Sequence, residues 1–387
     1  MRSIKPAYFL LLSLTLVIVS CAQPPGKPPQ MPGQAAVAMP DSYGAAVSAE
    51  ILEAGGNAVD AAIAAGFALA VTYPAAGNIG GGGFMLIRMN GEDAFLDYRE
   101  KAPLAATRDM YLDEEGNVIP GASLIGHLSV GVPGTVAGFE AAHEKFGSLP
   151  WPDLLAPAIR LAEEGFIAGE KQGGGMLSRV ERYEGKTNFA KYFGSVTVGE
   201  PFKQPELAAT LRRISAHGAS EFYRGETAEL IVAEMARGNG LITGRDLAEY
   251  EAVWRQPLRA EWRGYEVLSA PPPSSGGFAL IQLLKMKDFR EDLFAGVELN
   301  SAQYVHLVAE MQKRVFADRA DYLGDPDFVD NRIAALTSDE YIRARADEID
   351  PDSISMDVQP GLGLNNHDTT HYSITDKWGN AVSNTYT

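Results

Sequence analysis

Thr370, Tyr372 and Ile374 alternate with His371, Ser373 and Thr375, the two-residue period of a β-strand. Asp376-Lys377-Trp378-Gly379-Asn380 then supplies turn residues, and Ala381 to Thr387 reads as a returning strand rich in β-formers. Asn90-Gly91 is a second hairpin signal, joining Phe84–Met89 to Ala94–Tyr98. A third hairpin turns around Arg263-Gly264, between Arg259–Trp262 and Tyr265–Ala270. Between these lie helical periods. The first runs from Ser42 to the Gly55-Gly56 break. Asn57 suits an N-cap, with Asp60 as its capping-box partner, for a helix over Ala58–Val71 that Pro74 ends. That helix is apolar on every side, which predicts burial against a sheet. Residues 150 to 250 are mainly helical, most clearly Trp151–Ala162, Glu206–Ser215 and Glu226–Met235. Ser274 and Ser275 are expected to cap the helix that follows them, and a long helix begins near Ser301.

Composition narrows the picture. The 387 residues carry 33 basic and 50 acidic side chains, a formal charge of −17. Such a surface repels nucleic acid and anionic lipid, so neither is an expected partner. Apolar content of 46% fits a compact globular chain, and the single cysteine excludes an internal disulfide. At the start, Arg2 and Lys5 precede a short apolar run from Ala7 to Val19, then Ser20 and Cys21. The run is too short to span a bilayer, which takes about 20 residues, and it reads as a secretory signal peptide over 1–20. Ile18-Val19-Ser20-Cys21 also resembles the bacterial lipobox, which implies lipidation of Cys21; a plain signal peptide with a chance cysteine is the alternative. Residues 21–40 are Pro-rich and read as a tether.

Few stretches carry chemistry. Gly77-Asn78-Ile79-Gly80-Gly81-Gly82-Gly83 lacks the Gly-Lys-Ser/Thr ending of a phosphate loop and runs into a strand, so its glycines are read as allowing close backbone approach. Ser129 lacks the first glycine of a nucleophile elbow, and no base is evident near Ser274 and Ser275. The six histidines are scattered, with no His-Glu-x-x-His or paired-cysteine site, so no metal is implied. Arg99 beside Glu100 would ordinarily be a surface ion pair worth under about 1 kcal/mol. Thr369 would ordinarily do no more than start a strand.

The full strings change both readings. Asp368-Thr369-Thr370-His371-Tyr372-Ser373, with Asp376, Gly379-Asn380-Ala381-Val382 and Thr385-Tyr386-Thr387, closely resembles the processing site of γ-glutamyltranspeptidases. Glu53–Ala62, Gly80–Arg88, Asp97-Tyr98-Arg99-Glu100-Lys101-Ala102-Pro103, Gly131–Gly138, Pro271–Gly277 and Ala317-Asp318-Arg319 also resemble stretches of that family. The likeness covers roughly Ala35 to Thr387.

It implies an α+β fold, the four-layer αββα sandwich of N-terminal-nucleophile hydrolases, with two stacked antiparallel sheets. It implies a precursor cut between Asp368 and Thr369, dividing a large subunit over 41–368 from a small subunit beginning at 369–387. Thr369 would become the catalytic nucleophile, its freed α-amine serving as base with an ordinary pKa of about 8. Arg99 would bind the substrate α-carboxylate, which its planar fork meets bidentately. Thr387 matches a threonine whose hydroxyl supports the nucleophile. Glutathione or another γ-glutamyl compound would be the donor, with amino acids, peptides or water as acceptors and no cofactor. The expected place is the periplasm, on the outer membrane through lipid on Cys21. The family's small subunit continues beyond Thr387 with an asparagine and an acidic residue, paired serines and an oxyanion-hole glycine pair. Activity is therefore expected to need that remainder. A β-lactam acylase or capsule-cleaving sibling on the same scaffold is one alternative, and a non-catalytic lipid-anchored binding protein is another.

Overall fold

The computed structural model describes residues 34–356, 358 and 370–386. Strand β1 (Ala36–Ala38) leads into helices α1 (Ser42–Glu53) and α2 (Ala58–Thr72), then into the hairpin β2 (Gly83–Met89) and β3 (Glu92–Asp97). A helical block follows: α3 (Thr135–Phe146), α4 (Trp151–Glu164), α5 (Glu170–Arg182), α6 (Phe189–Phe193), α7 (Pro205–His217), α8 (Ala219–Arg224), α9 (Glu226–Arg237) and α10 (Gly244–Ala248). Within it the two-residue strands β4 (Phe166–Ile167) and β5 (Pro201–Phe202) pair. Next come β6 (Val253–Arg255) and the hairpin β7 (Leu258–Trp262) and β8 (Tyr265–Ser269). Helices α11 (Gly276–Phe289), α12 (Glu291–Phe294), α13 (Ala302–Tyr322), α14 (Ile333–Leu336) and α15 (Asp339–Asp347) precede the final hairpin, β9 (Thr370–Thr375) and β10 (Ala381–Tyr386).

Six strands form one antiparallel sheet in the order β1-β9-β10-β2-β3-β6. The last hairpin of the chain thus lies inside the sheet, with β1 on one side and β2 on the other. Alternation sorts its two faces. Tyr372, Ile374, Val382, Asn384, Tyr386, Met85 and Ile87 are buried, whereas Phe84, Leu86, Ser373, Ser383 and Thr385 on the other face are half-buried. Helix α2 covers the buried face, and every one of its residues is buried. The Tyr372 and Tyr386 hydroxyls donate to its Ala62 and Gly66 carbonyls at 2.7 and 2.8 Å. Its start is fixed by the expected capping box: Asn57 Oδ1 accepts from the Val59 and Asp60 amides, and Asp60 Oδ2 accepts from the Asn57 amide.

The turn of the final hairpin is tied to the same helix end. Asp376 Oδ1 accepts from the Trp378 and Asn380 amides, and Asp376 Oδ2 accepts from the Ala58 amide at 3.3 Å. A carboxylate at a helix N-terminus is favoured by the exposed amides and the helix dipole. Hairpin β7–β8 is joined to the half-buried face by ion pairs, Arg88 and Arg259 each meeting both Asp93 and Glu266. Helix α11 packs on that hairpin and shares a second core cluster with α13 and α15 through Phe278, Leu307 and Ile342. The helix–sheet half of the expected sandwich is therefore built. Among the described residues, no sheet of more than two strands forms besides the six-stranded one.

Two readings are corrected. The stretch assigned to a tether over 21–40 ends earlier, because Ala36–Ala38 pairs with Ser373–Thr375 as an edge strand. Ser275 stands at the N-cap of α11 but makes no capping bond; its hydroxyl accepts from Arg319 Nε at 3.1 Å, and Ser274 Oγ takes the Gly276 amide instead.

Candidate active site

Cys21, Asp368, Thr369 and Thr387 lie outside the described residues, and of the residues singled out for function only Arg99 lies inside. The strand register nevertheless shows which strand ends lie together. Tyr386 pairs with Thr370 on one side and with Gly83 on the other. Gly83 in turn exchanges both backbone hydrogen bonds with Tyr98, at 2.9 and 3.2 Å. Thr370, Tyr386, Gly83 and Tyr98 therefore form one row across the sheet. The first residue of β9 and the residue before Arg99 are separated by three strand spacings, about 14 Å.

Arg99 leaves β3 with its backbone held and its side chain exposed. Its amide donates to Asp97 Oδ1 at 3.1 Å, and its carbonyl accepts from the Tyr250 hydroxyl at 2.8 Å. Asp97 is buried, with Oδ2 accepting from Arg255 Nε at 2.7 Å, while Arg255 meets Asp327 bidentately at 3.0 and 3.1 Å. The Arg99 guanidinium makes no ion pair among the described residues, so the surface pair with Glu100 does not form. Burial pushes the Glu100 carboxyl above its ordinary range, opposed by backbone amides, including that of Gly82, and by the Arg99 charge.

The glycine stretch lies directly against this backbone. A Cβ on Gly82 would sit 2.5 Å from the Tyr98 carbonyl oxygen, 2.6 Å from the Glu100 nitrogen and 2.8 Å from the Arg99 carbonyl carbon. Asn78 Oδ1 accepts from the Gly81 amide and the Thr135 hydroxyl, both at 2.8 Å. The Gly81 carbonyl accepts from the Gly134 and Thr135 amides at the start of α3. A carbonyl thus occupies the helix end where a phosphate would otherwise bind. Below, the Tyr98 hydroxyl donates to Asn384 Oδ1 at 2.6 Å, joining the Arg99 strand to the strand that ends before Thr387. Sequence reading assigned no role to Tyr250, Asp97 or Asn384, since their partners lie across the fold rather than nearby in the chain.

A sequence model of the gamma-glutamyltranspeptidase family matches residues 44–387, almost all of the described chain. The chain belongs to the gamma-glutamyltranspeptidase family. The chain is 54% identical over 383 residues to a glutathione hydrolase proenzyme of Pseudomonas aeruginosa, covering 99% of itself and 68% of that relative. It is also similar to a solved gamma-glutamyltranspeptidase from Pseudomonas nitroreducens complexed with L-DON, at 55% identity and a TM-score of 0.83, covering 86% of this chain and 99% of that one. An acylase proenzyme of Pseudomonas sp. strain SE83 is more distant, 34% identical over 88% of this chain and 63% of its own length. The likeness to solved family structures agrees with the α+β architecture described above.

Proposed function

We propose that this chain is the precursor of a γ-glutamyltransferase and glutathione hydrolase, with Thr369 as nucleophile and Arg99 as donor anchor. The observation that carries the reading is the sheet row. Thr369 precedes β9 in the chain, Arg99 follows β3, and the register brings those two strand ends to the same end of the sheet. A long arginine side chain and a glutamyl group together suit the gap between them. The exposed guanidinium meets the donor α-carboxylate, leaving the γ-carbonyl towards the nucleophile.

Two reactions follow from one hydroxyl. In the precursor, the Thr369 hydroxyl attacks the Asp368 carbonyl and the amide C–N bond breaks, so that the acyl group moves to Oγ1 and the Thr369 amine is freed. Water then hydrolyses this ester, releasing the Asp368 carboxylate and restoring the hydroxyl. In turnover, that amine takes the hydroxyl proton as Oγ1 attacks the γ-glutamyl carbonyl. The proton passes to the departing amine, and a γ-glutamyl ester of Thr369 remains. Water or an amino-acid amine then takes the acyl group. Thr387 supports the nucleophile by hydrogen bonding, and no cofactor enters. The relative at 54% identity, named as a glutathione hydrolase proenzyme, supports glutathione as donor over the amides of the more distant acylase. Residues 41–368 are then the large subunit, and 369 begins the small one.

The test is expression from the full reading frame, followed by N-terminal sequencing and assay on a γ-glutamyl anilide. A fragment beginning at Thr369 is expected, and Thr369→Ala is expected to stay uncut and inactive. A cleaved, active Thr369→Ala protein would overturn the reading. Lipid on Cys21, holding the protein at the periplasmic face of the outer membrane, is the accompanying proposal. Cys21→Ala should release the protein from the membrane fraction, and unchanged fractionation would refute it. No helix among the described residues is long and apolar enough to cross a membrane.

A further inference from the structure

The Arg99 guanidinium is exposed, yet its backbone is held more firmly than a strand end requires. On the amide side stands Asp97, buried and itself bonded by Arg255. On the carbonyl side stands Tyr250, 151 residues along the chain, with its hydroxyl donating at 2.8 Å. The Tyr250 ring is fixed in turn. It stacks on Tyr223 at 5.7 Å and 10°, and the Lys101 ammonium sits 5.2 Å above its centroid. Tyr223 is anchored to the start of α3, donating to the Pro133 carbonyl at 2.9 Å and accepting from the Ala137 amide at 3.2 Å. Gly134 permits the approach, because a Cβ there would collide with the Tyr250 hydroxyl and the Tyr98 carbonyl. The Tyr250 hydroxyl also stays a donor, since burial first, and then neighbouring acidic and phenolic groups, push its pKa well up.

We infer that Tyr250 and Asp97 are positioning residues for the γ-glutamyl donor, acting through the Arg99 backbone rather than by touching the donor. The inference rests on the proposed role of Arg99 as α-carboxylate anchor. A bidentate guanidinium–carboxylate pair depends on direction as well as distance. A long side chain swinging from a loosely held Cα would spend little time in the one geometry that suits the donor. Two hydrogen bonds on opposite sides of the residue remove that freedom before the donor arrives, and preorganisation of this kind lowers the cost of binding. The exposed position leaves the guanidinium open to its ligand, while the ordering device stays buried beneath it.

The experiment uses the processed enzyme from the full reading frame and two donors. One is a γ-glutamyl anilide; the other is 4-aminobutyryl anilide, the same chain without the α-carboxylate. Tyr250→Phe keeps the stacked ring and removes only the hydroxyl. It should raise KM for the γ-glutamyl donor about three- to tenfold, with kcat little changed, as expected for one hydrogen bond. Its effect on 4-aminobutyryl anilide should be absent. Arg99→Ala combined with Tyr250→Phe should be no worse than Arg99→Ala alone, because Tyr250 acts only through Arg99. Asp97→Asn, which keeps an acceptor, should give a smaller rise in the same direction and carries the comparison if Tyr250→Phe does not fold. Equal losses on both donors, or additive losses in the double variant, would assign Tyr250 a merely structural role and overturn the inference. If Arg99→Ala raises KM while Tyr250→Phe and Asp97→Asn do not, the inference fails and the anchor stands. If Arg99→Ala leaves KM unchanged, the anchor itself fails, and the inference falls with it.

Discussion

Gly82 shows how much one missing side chain can decide. Its Cα faces three backbone atoms of Tyr98, Arg99 and Glu100, none of which can turn aside as a flexible side chain would. Gly82→Ala is expected to destabilise the protein by about 1–3 kcal/mol through overpacking. It should also raise KM for a γ-glutamyl donor by shifting Arg99. Gly80→Ala, two residues away, meets nothing within 4 Å and should be silent in both thermal unfolding and kinetics. At this scale the sequence was half legible. Close backbone approach was readable from a run of glycines, but which glycine, and against what, was not, because the contact is made by residues 16 to 18 positions further on and set by the β2–β3 register.

Among the elements, α2 and the strands beneath it depend on phenols that reach a polar partner inside an apolar layer. Tyr372 and Tyr386 donate to helix carbonyls that also lie within reach of the helix's own amides, so Tyr372→Phe or Tyr386→Phe should cost only about 0.5–1.5 kcal/mol. Tyr98→Phe differs in kind. Asn384 is fully buried, and its Nδ2 finds no partner among the described residues, so losing the Tyr98 hydroxyl strips the bond from its Oδ1 as well. A larger loss, about 1–3 kcal/mol, is expected, and denaturant midpoints of the three variants give the ranking. The hairpins, α1 and α2 were legible because period, cap and turn residues agreed over many positions. Strand β1 was not, since Ala-Val-Ala is too short to show a period and becomes a strand only because β9 offers it an edge. Tyr250 was equally hidden: nothing near it in the chain marks a tyrosine whose partner is the Arg99 carbonyl.

Over the whole molecule, the two core clusters are held by different means, and the second carries an acid-sensitive tie. Glu310 on α13 accepts from Lys313 Nζ at 2.6 Å, Arg314 Nη1 at 3.0 Å and the Ser355 amide at 3.2 Å, securing the chain beyond α15. Burial works to raise its pKa, but these bonds prevail and hold it down at about 2, against 4.5 for a free glutamate. A carboxyl depressed on folding stabilises the protein above its unfolded pKa and loses that contribution as pH falls through the folded one. Stability on the order of 3 kcal/mol should therefore fade between about pH 4.5 and 2, and Glu310→Gln should flatten that part of the pH–stability curve. The position of β9 and β10 between β1 and β2 has a different consequence for the proposed cut after Asp368. The two pieces are then interleaved, and neither can leave without opening two strand ladders. Unfolding the cut form releases two molecules instead of one, so its apparent stability acquires a molecularity. Its melting midpoint should climb with protein concentration, whereas that of uncut Thr369→Ala should not move.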